Sequence, residues 1–222
     1  MALTFTFAHL KGGVGKSTLA LNLGVCLHSA GHQSIIIDAD PQGTCRQWSE
    51  VAAEQGHMGP TVVGVSGSAL RRELPNLSKG FDVVIIDAPP RLGRETRGAM
   101  MASDAVIIPI TPGPADVWAL KATLELLDEA REFRPDLLAV AVMNKAQRTT
   151  LANLTSRAVR SAGVTVLGAT VSNRVAFGEA IAAGQGVVRY APESSAAREV
   201  QRFAADLFEV MEDEDGQRAA AS

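Results

Sequence analysis

Four stretches of this chain carry an unbroken apolar run bounded by acids or other polar residues, without alternation: SIIIDAD (34–40), FDVVIIDAPP (81–90), DAVIIPI (104–110) and LLAVAVMN (137–144). A strand with one wet face alternates; a strand without alternation is covered on both faces, as in a parallel sheet held between helix layers. Weaker strand patterns stand at LTFTFAH (3–9), TVVGV (61–65) and TVLGATV (165–171). Helical periodicity fills the gaps at 16–30, 43–55, 93–102, 115–133, 149–161, 175–183 and 193–211. The expectation is one α/β domain over residues 1–212, a mostly parallel, twisted sheet with helices on both faces. Residues 213–222, acidic and then small and polar, are expected to be a disordered tail. With a strand starting at residue 3, no DNA-binding domain is expected ahead of it.

Composition narrows what such a domain can do. At 222 residues and 46% hydrophobic content the chain can bury a large core. Its net charge is −3, so an anionic partner has to be met by a local basic patch. Cys26 and Cys45 are not spaced as a C-x-x-C pair and there is no H-E-x-x-H, so reduced thiols and no protein-built metal cage are expected. No apolar run has the ~20 residues of a membrane span, and the first residues lack the pattern of a signal peptide. A cytoplasmic location is expected.

Between the first strand and the first helix lies HLKGGVGKST (9–18), which almost meets the phosphate-loop pattern G-x-x-x-x-G-K-[ST]. Leu10 stands where the first Gly belongs, and a second lysine, Lys11, precedes Gly12 and Gly13. The glycines Gly12, Gly13 and Gly15, with Val14 between them, let successive backbone N–H groups face phosphate oxygens at a helix N-terminus. Lys16 would reach the β- and γ-phosphates, the Ser17 hydroxyl would ligate Mg²⁺, and Thr18 would lie near the α-phosphate. Such a loop needs a carboxylate at the end of another strand. Asp87 fits, because it follows four apolar residues and is halted by Pro89 and Pro90. Asp82 precedes the same run and belongs at the opposite end of the sheet, away from the ligand edge. In DADPQG, Asp38 and Asp40 are expected to face different directions, one toward Mg²⁺ and water and the other holding the loop.

The loop KGGVGKST, with DADPQG and IIDAPP, resembles the ParA/MinD family of P-loop ATPases with a deviant phosphate loop, and its ParA branch most. The likeness runs from about residue 3 to 208, through SNRVAFGEAIAAGQGVVRYAPESSAAREVQRFAADL. The resemblance implies a single-domain P-loop NTPase that uses ATP and Mg²⁺ and forms a homodimer on ATP binding, Lys11 reaching across to the partner's phosphates. It implies that Asp40 positions the attacking water, Asp38 supports Mg²⁺ and the switch, and Asp87 holds Mg²⁺ through water. Asn144 is either the family's purine contact or an ordinary polar strand end. Partition members bind nucleoid DNA without sequence preference and answer to a protein that stimulates hydrolysis. Candidate DNA contacts are Lys145, Arg148, Arg157, Arg160, Arg174, Arg189, Arg198 and Arg202, although nearby acids could make them ordinary surface pairs. Arginines in RLGRETR (91–97) fall where the family has its second switch, and could serve dimerisation or a partner.

Alternatives are a MinD-like membrane-recruited ATPase or a P-loop ATPase or kinase of small-molecule metabolism. The first needs a basic-bordered amphipathic C-terminal helix, but Phe203, Leu207, Val210 and Met211 lead into Glu212–Asp215, which anionic lipid repels. A metal-cluster carrier would need paired cysteines, and a kinase an insertion for its acceptor.

Overall fold

The computed structural model describes residues 2–91, 93–112, 114–146 and 150–221. Its strands are β1 (Leu3–Phe7), β2 (Ser34–Asp38), β3 (Thr61–Gly64), β4 (Val83–Asp87), β5 (Ala105–Ile110), β6 (Leu138–Ala146) and β7 (Thr165–Ser172). They form one sheet in the order β3-β2-β4-β1-β5-β6-β7. Every neighbouring pair is parallel. The unalternating runs explain this: β2, β4 and β5 are buried at every residue.

The helices are α1 (Lys16–Ser29), α2 (Thr44–Glu54), α3 (Gly67–Leu77), α4 (Arg94–Met101), α5 (Pro114–Arg131), α6 (Thr150–Ser161), α7 (Val175–Ala182), α8 (Val187–Tyr190) and α9 (Ser195–Ala221). Two cores result. On one face Phe5, Phe7, Ile36 and Ile85 pack with Leu23 of α1 and Phe203 of α9. On the other Ile35, Ile37, Ile86 and Ile108 pack with Leu70 of α3, Met100 of α4 and Leu127 of α5. Alternate strand residues feed the two cores, which is why the runs cannot alternate in polarity.

Three helices depart from the sequence expectation, the short α8 falling between the two expected at 175–183 and 193–211. α3 was not anticipated, because SGSALRRELPNL carries a Gly at its start and Pro75 inside. α9 runs on to Ala221, where the periodicity placed its end at 211 and a disordered tail over 213–222. The residues beyond 211 are largely Glu, Gln, Arg and Ala, strong helix formers that need no apolar stripe to propagate the turn. The apolar face of α9 is core: Phe203 and Leu207 are fully buried, and Phe203 meets Phe7 edge-on with ring centroids 6.3 Å apart.

Strand order positions the site. β4 lies between β2 and β1, so Asp87 is the register partner of both Asp38 and Phe7. The loop leaving β1 therefore opens beside two carboxylates at the carboxyl edge of the sheet, where open parallel sheets bind ligands. Asp82 lies at the other edge, accepting the Gln33 N–H at 2.8 Å, as its place ahead of the apolar run requires.

Candidate functional site: a phosphate loop beside two buried carboxylates

The loop Leu10–Gly15 turns directly into α1, whose first residue is Lys16. Gly15 caps the helix with φ 95° and ψ 24°, a left-handed conformation that L side chains rarely adopt. Space is closed there too, since an added Cβ would lie 2.2 Å from Asn144 Nδ2. His9 is fully buried and accepts the Lys11 N–H on Nδ1 at 3.0 Å. It shapes the turn in which Lys11 sits.

Lys16 is 6% exposed, and burial pulls its pKa below the ordinary lysine value, while Asp87 and Asp40 oppose the shift. Asp87 is fully buried, and burial pushes its carboxyl up to about 6; Ser17, Lys16 and the Cys45 thiol favour the charged form, and Asp38 disfavours it. The Cys45 Sγ donates to Asp87 Oδ2 at 3.4 Å, leaving Oδ1 buried with no hydrogen-bond partner. A buried carboxylate oxygen without a donor is unfavourable unless a cation answers it. Asp87 and Ser17 thus suit a divalent ion. Among the described residues no three His, Cys, Asp or Glu gather as a metal cage. Mg²⁺ is commonly held by one or two protein groups together with phosphate oxygens.

Asp38 is 2% exposed and accepts two backbone N–H groups, from Asp40 to Oδ1 at 3.2 Å and from Arg46 to Oδ2 at 3.0 Å. It ties the 39–46 turn to the first turn of α2. Asp40 is half-buried and accepts Gln42 N–H at 3.0 Å. The two acids do divide, but by a turn: β2 ends at Asp38, whereas residues two apart on a continuing strand would share one face. Asp38 is bound into the backbone of the turn, and Asp40 is the more open of the two.

Across the site, β6 ends in two residues that grip the loop. The Asn144 amide donates to the Val14 carbonyl at 2.6 Å, and Lys145 Nζ to the Gly13 carbonyl at 2.8 Å. Lys145 has φ 50°, the single positive φ among described residues other than glycine, a strain that clusters at binding sites. Lys145, expected from sequence among the DNA contacts, is engaged with the loop in this structure; nothing in its local pattern reveals that reach. Beside it opens a cleft of about 550 Å³, lined by Thr18, Asn144, Lys145, Ser172, Arg174 and Phe177 among others.

The other expected DNA contacts are dispersed. Arg174 pairs with Glu199 at 2.7 Å, Arg189 with Ser29 Oγ and the Met58 carbonyl, and Arg202 with Asp206 at 2.5 Å. Arg198 donates to the Glu193 carbonyl at 2.7 Å. Glu199 lies below the usual carboxylate range: burial works against its charge, and Arg174 and Ser172 outweigh it. Arg157 and Arg160 are exposed on α6, and no ion pair engages them among the described residues. α6 and α9 cover opposite faces of the sheet, so the Arg157/Arg160 and Arg198/Arg202 pairs form no single patch. Arg148 lies outside the described residues. Among the described residues no helix is long and apolar enough to cross a membrane.

A glycine loop at a helix N-terminus, with a buried lysine and two strand-end acids, defines a P-loop nucleotide site. The model of the CobQ/CobB/MinD/ParA nucleotide binding domain matches residues 5–187, and the chain belongs to this family, the P-loop ATPases that its loop resembles. Maintenance of carboxysome distribution protein A of Halothiobacillus neapolitanus is 30% identical over 205 residues, covering 91% of this chain and 94% of that protein. The chromosome-partitioning ATPase Soj of Thermus thermophilus is 29% identical over 237 residues, covering 90% and 93%. In three dimensions the cell division ATPase MinD of Pyrococcus furiosus superposes with a TM-score of 0.77 at 19% identity, over 95% of this chain and 100% of that one. That likeness bears on the fold alone.

Proposed function

We propose that this chain is a Mg²⁺-dependent ATP hydrolase whose ATP-bound form is a sandwich dimer that binds DNA without sequence preference. It positions a cargo, and a partner protein stimulates its hydrolysis. The observation that carries the reading is Asp87 Oδ1, buried without a partner beside Lys16 and Ser17. Family membership and relatives named for chromosome partitioning and carboxysome distribution support the cargo-positioning part.

The residues divide the chemistry. Backbone N–H groups of 12–16 and the Lys16 ammonium hold the phosphates, with Thr18 near the α-phosphate. Ser17 and Asp87 would hold Mg²⁺, which would supply positive charge against the phosphates. Asp38 keeps the 39–46 turn in place so that Asp40 can orient the attacking water. Lys11 of a second copy adds positive charge at the γ-phosphate. Asn144 fixes the loop from beneath while facing the cleft where a base would lie. Arg157 and Arg160 are the basic pair still open to DNA phosphates; the membrane alternative lacks a free face, because α9 has buried its own.

The test is paired. Purified protein with Mg²⁺ should hydrolyse ATP and shift an arbitrary DNA duplex only when ATP is present. Lys16→Ala should abolish both, and Arg157→Ala with Arg160→Ala should weaken the shift alone. Protein that neither turns over ATP nor responds to it in DNA binding overturns the proposal.

A further inference from the structure

α3, α4 and the turn after α5 enclose a second groove of about 730 Å³, on the sheet face away from α1. Arg71, Arg94, Arg97 and Arg134 line it together with Met101 and Phe133. In a chain of net charge −3 this is a local concentration of positive charge. Two of the arginines are engaged: Arg97 pairs with Glu129 at 3.0 Å, and Arg134 with Asp136 at 3.1 Å. Arg71 and Arg94 are exposed, with no ion pair among the described residues. Glu95 is the single acid in the lining. Phe133 is 66% exposed, an aromatic ring held in water beside the half-buried Met101.

We propose that this groove docks an acidic segment of a partner protein, with carboxylates on Arg71 and Arg94 and an apolar side chain against Phe133 and Met101. Guanidinium groups suit carboxylates, and an exposed aromatic beside them is the composition of an interface anchor. A concave, half-apolar groove fits a peptide better than a duplex, whose phosphates are met by open rows of cations. The inference rests on the reading that a partner stimulates hydrolysis, and it names the surface. Occupation of the groove reaches the site through α4: the buried Thr96 hydroxyl donates to the carbonyls of Arg91 at 2.8 Å and Pro89 at 3.4 Å, in the segment that leaves Asp87.

The experiment measures fluorescence anisotropy of a short labelled peptide repeating Glu and Leu, with a Lys-Leu repeat as control, on the full chain. The Glu-Leu peptide should bind, weaken on the order of 10-fold in Arg71→Ser with Arg94→Ser, and recover in Arg71→Lys with Arg94→Lys. The peptide should raise ATP turnover of the unmodified protein, while the Ser variant keeps its turnover without peptide. Lys16→Ala should still bind the peptide, so a failure of the nucleotide reading leaves the binding result standing. Equal affinity in the Ser variant, equal binding of the Lys-Leu peptide, or DNA affinity lost in place of peptide affinity would each overturn the proposal. Peptide binding that leaves turnover unchanged would overturn its link to Asp87.

Discussion

The two halves of the nucleotide cleft are held in different ways. At the carboxyl ends of β2 and β4 the charges are buried: Asp38 is 2% exposed, Asp87 0% and Lys16 6%. At the ends of β6 and β7, Lys145 and Arg174 are exposed, and their charges rest on the Gly13 carbonyl and on Glu199. The first half keeps a carboxylate oxygen without a donor, a cost to the empty protein that a cation and phosphates would relieve. The second half satisfies itself with contacts that a ligand can exchange. The chemistry is assigned to the first half and adaptable recognition to the second.

The largest expected effect breaks the first half through its backbone. Gly15→Ala puts a Cβ where Asn144 Nδ2 lies 2.2 Å away and forces φ 95° on a residue with a side chain. Nucleotide affinity should fall on the order of 100-fold, with about 2 kcal/mol lost in chemical denaturation. A variant that binds ATP normally would show that Asn144 does not set the loop.

The next effect leaves the loop intact and is read in stability alone: the pH dependence of Asp87. Its folded pKa of about 6 lies above the ordinary value of 3.8, so burial favours the protonated form. The contribution is fully present below pH 4 and is lost as pH rises through 6. The apo protein should lose about 3 kcal/mol from this group across that window. Asp87→Asn should flatten that part of the stability curve measured by urea denaturation at successive pH values. An unchanged curve would mean that Asp87 is solvated.

The smallest effect sharpens the second half. Lys145→Ala should raise the KM for ATP several-fold and leave DNA affinity at saturating ATP unchanged. A drop in DNA affinity with KM intact would place Lys145 among the DNA contacts and not at the nucleotide.

This division also explains what could be read in advance. The sheet, the loop and Asp87 were legible because each is written locally, in an unalternating run, a glycine pattern and a Pro-Pro stop. The grip of Lys145 was not, because it depends on β6 and the loop after β1 meeting across β5. Asp38 and Asp40 looked alike, and only the turn beginning at Asp38 shows which is bound into the backbone. α3 was hidden by Pro75, and the far end of α9 by its lack of an apolar stripe. The arginines seemed a patch because sequence spacing does not say which face of the sheet a helix covers.

The central claim is that two copies complete one site, and subunit mixing tests it most directly. Lys11→Ala and Asp40→Ala proteins, each inactive alone, are combined and ATP turnover is measured. A mixed dimer holds one site with its own Asp40 and the other chain's Lys11. Random pairing makes about half of the dimers mixed, so about a quarter of the original turnover should return. A mixture as inactive as its two parts would contradict the claim and return Lys11 to the loop of its own chain.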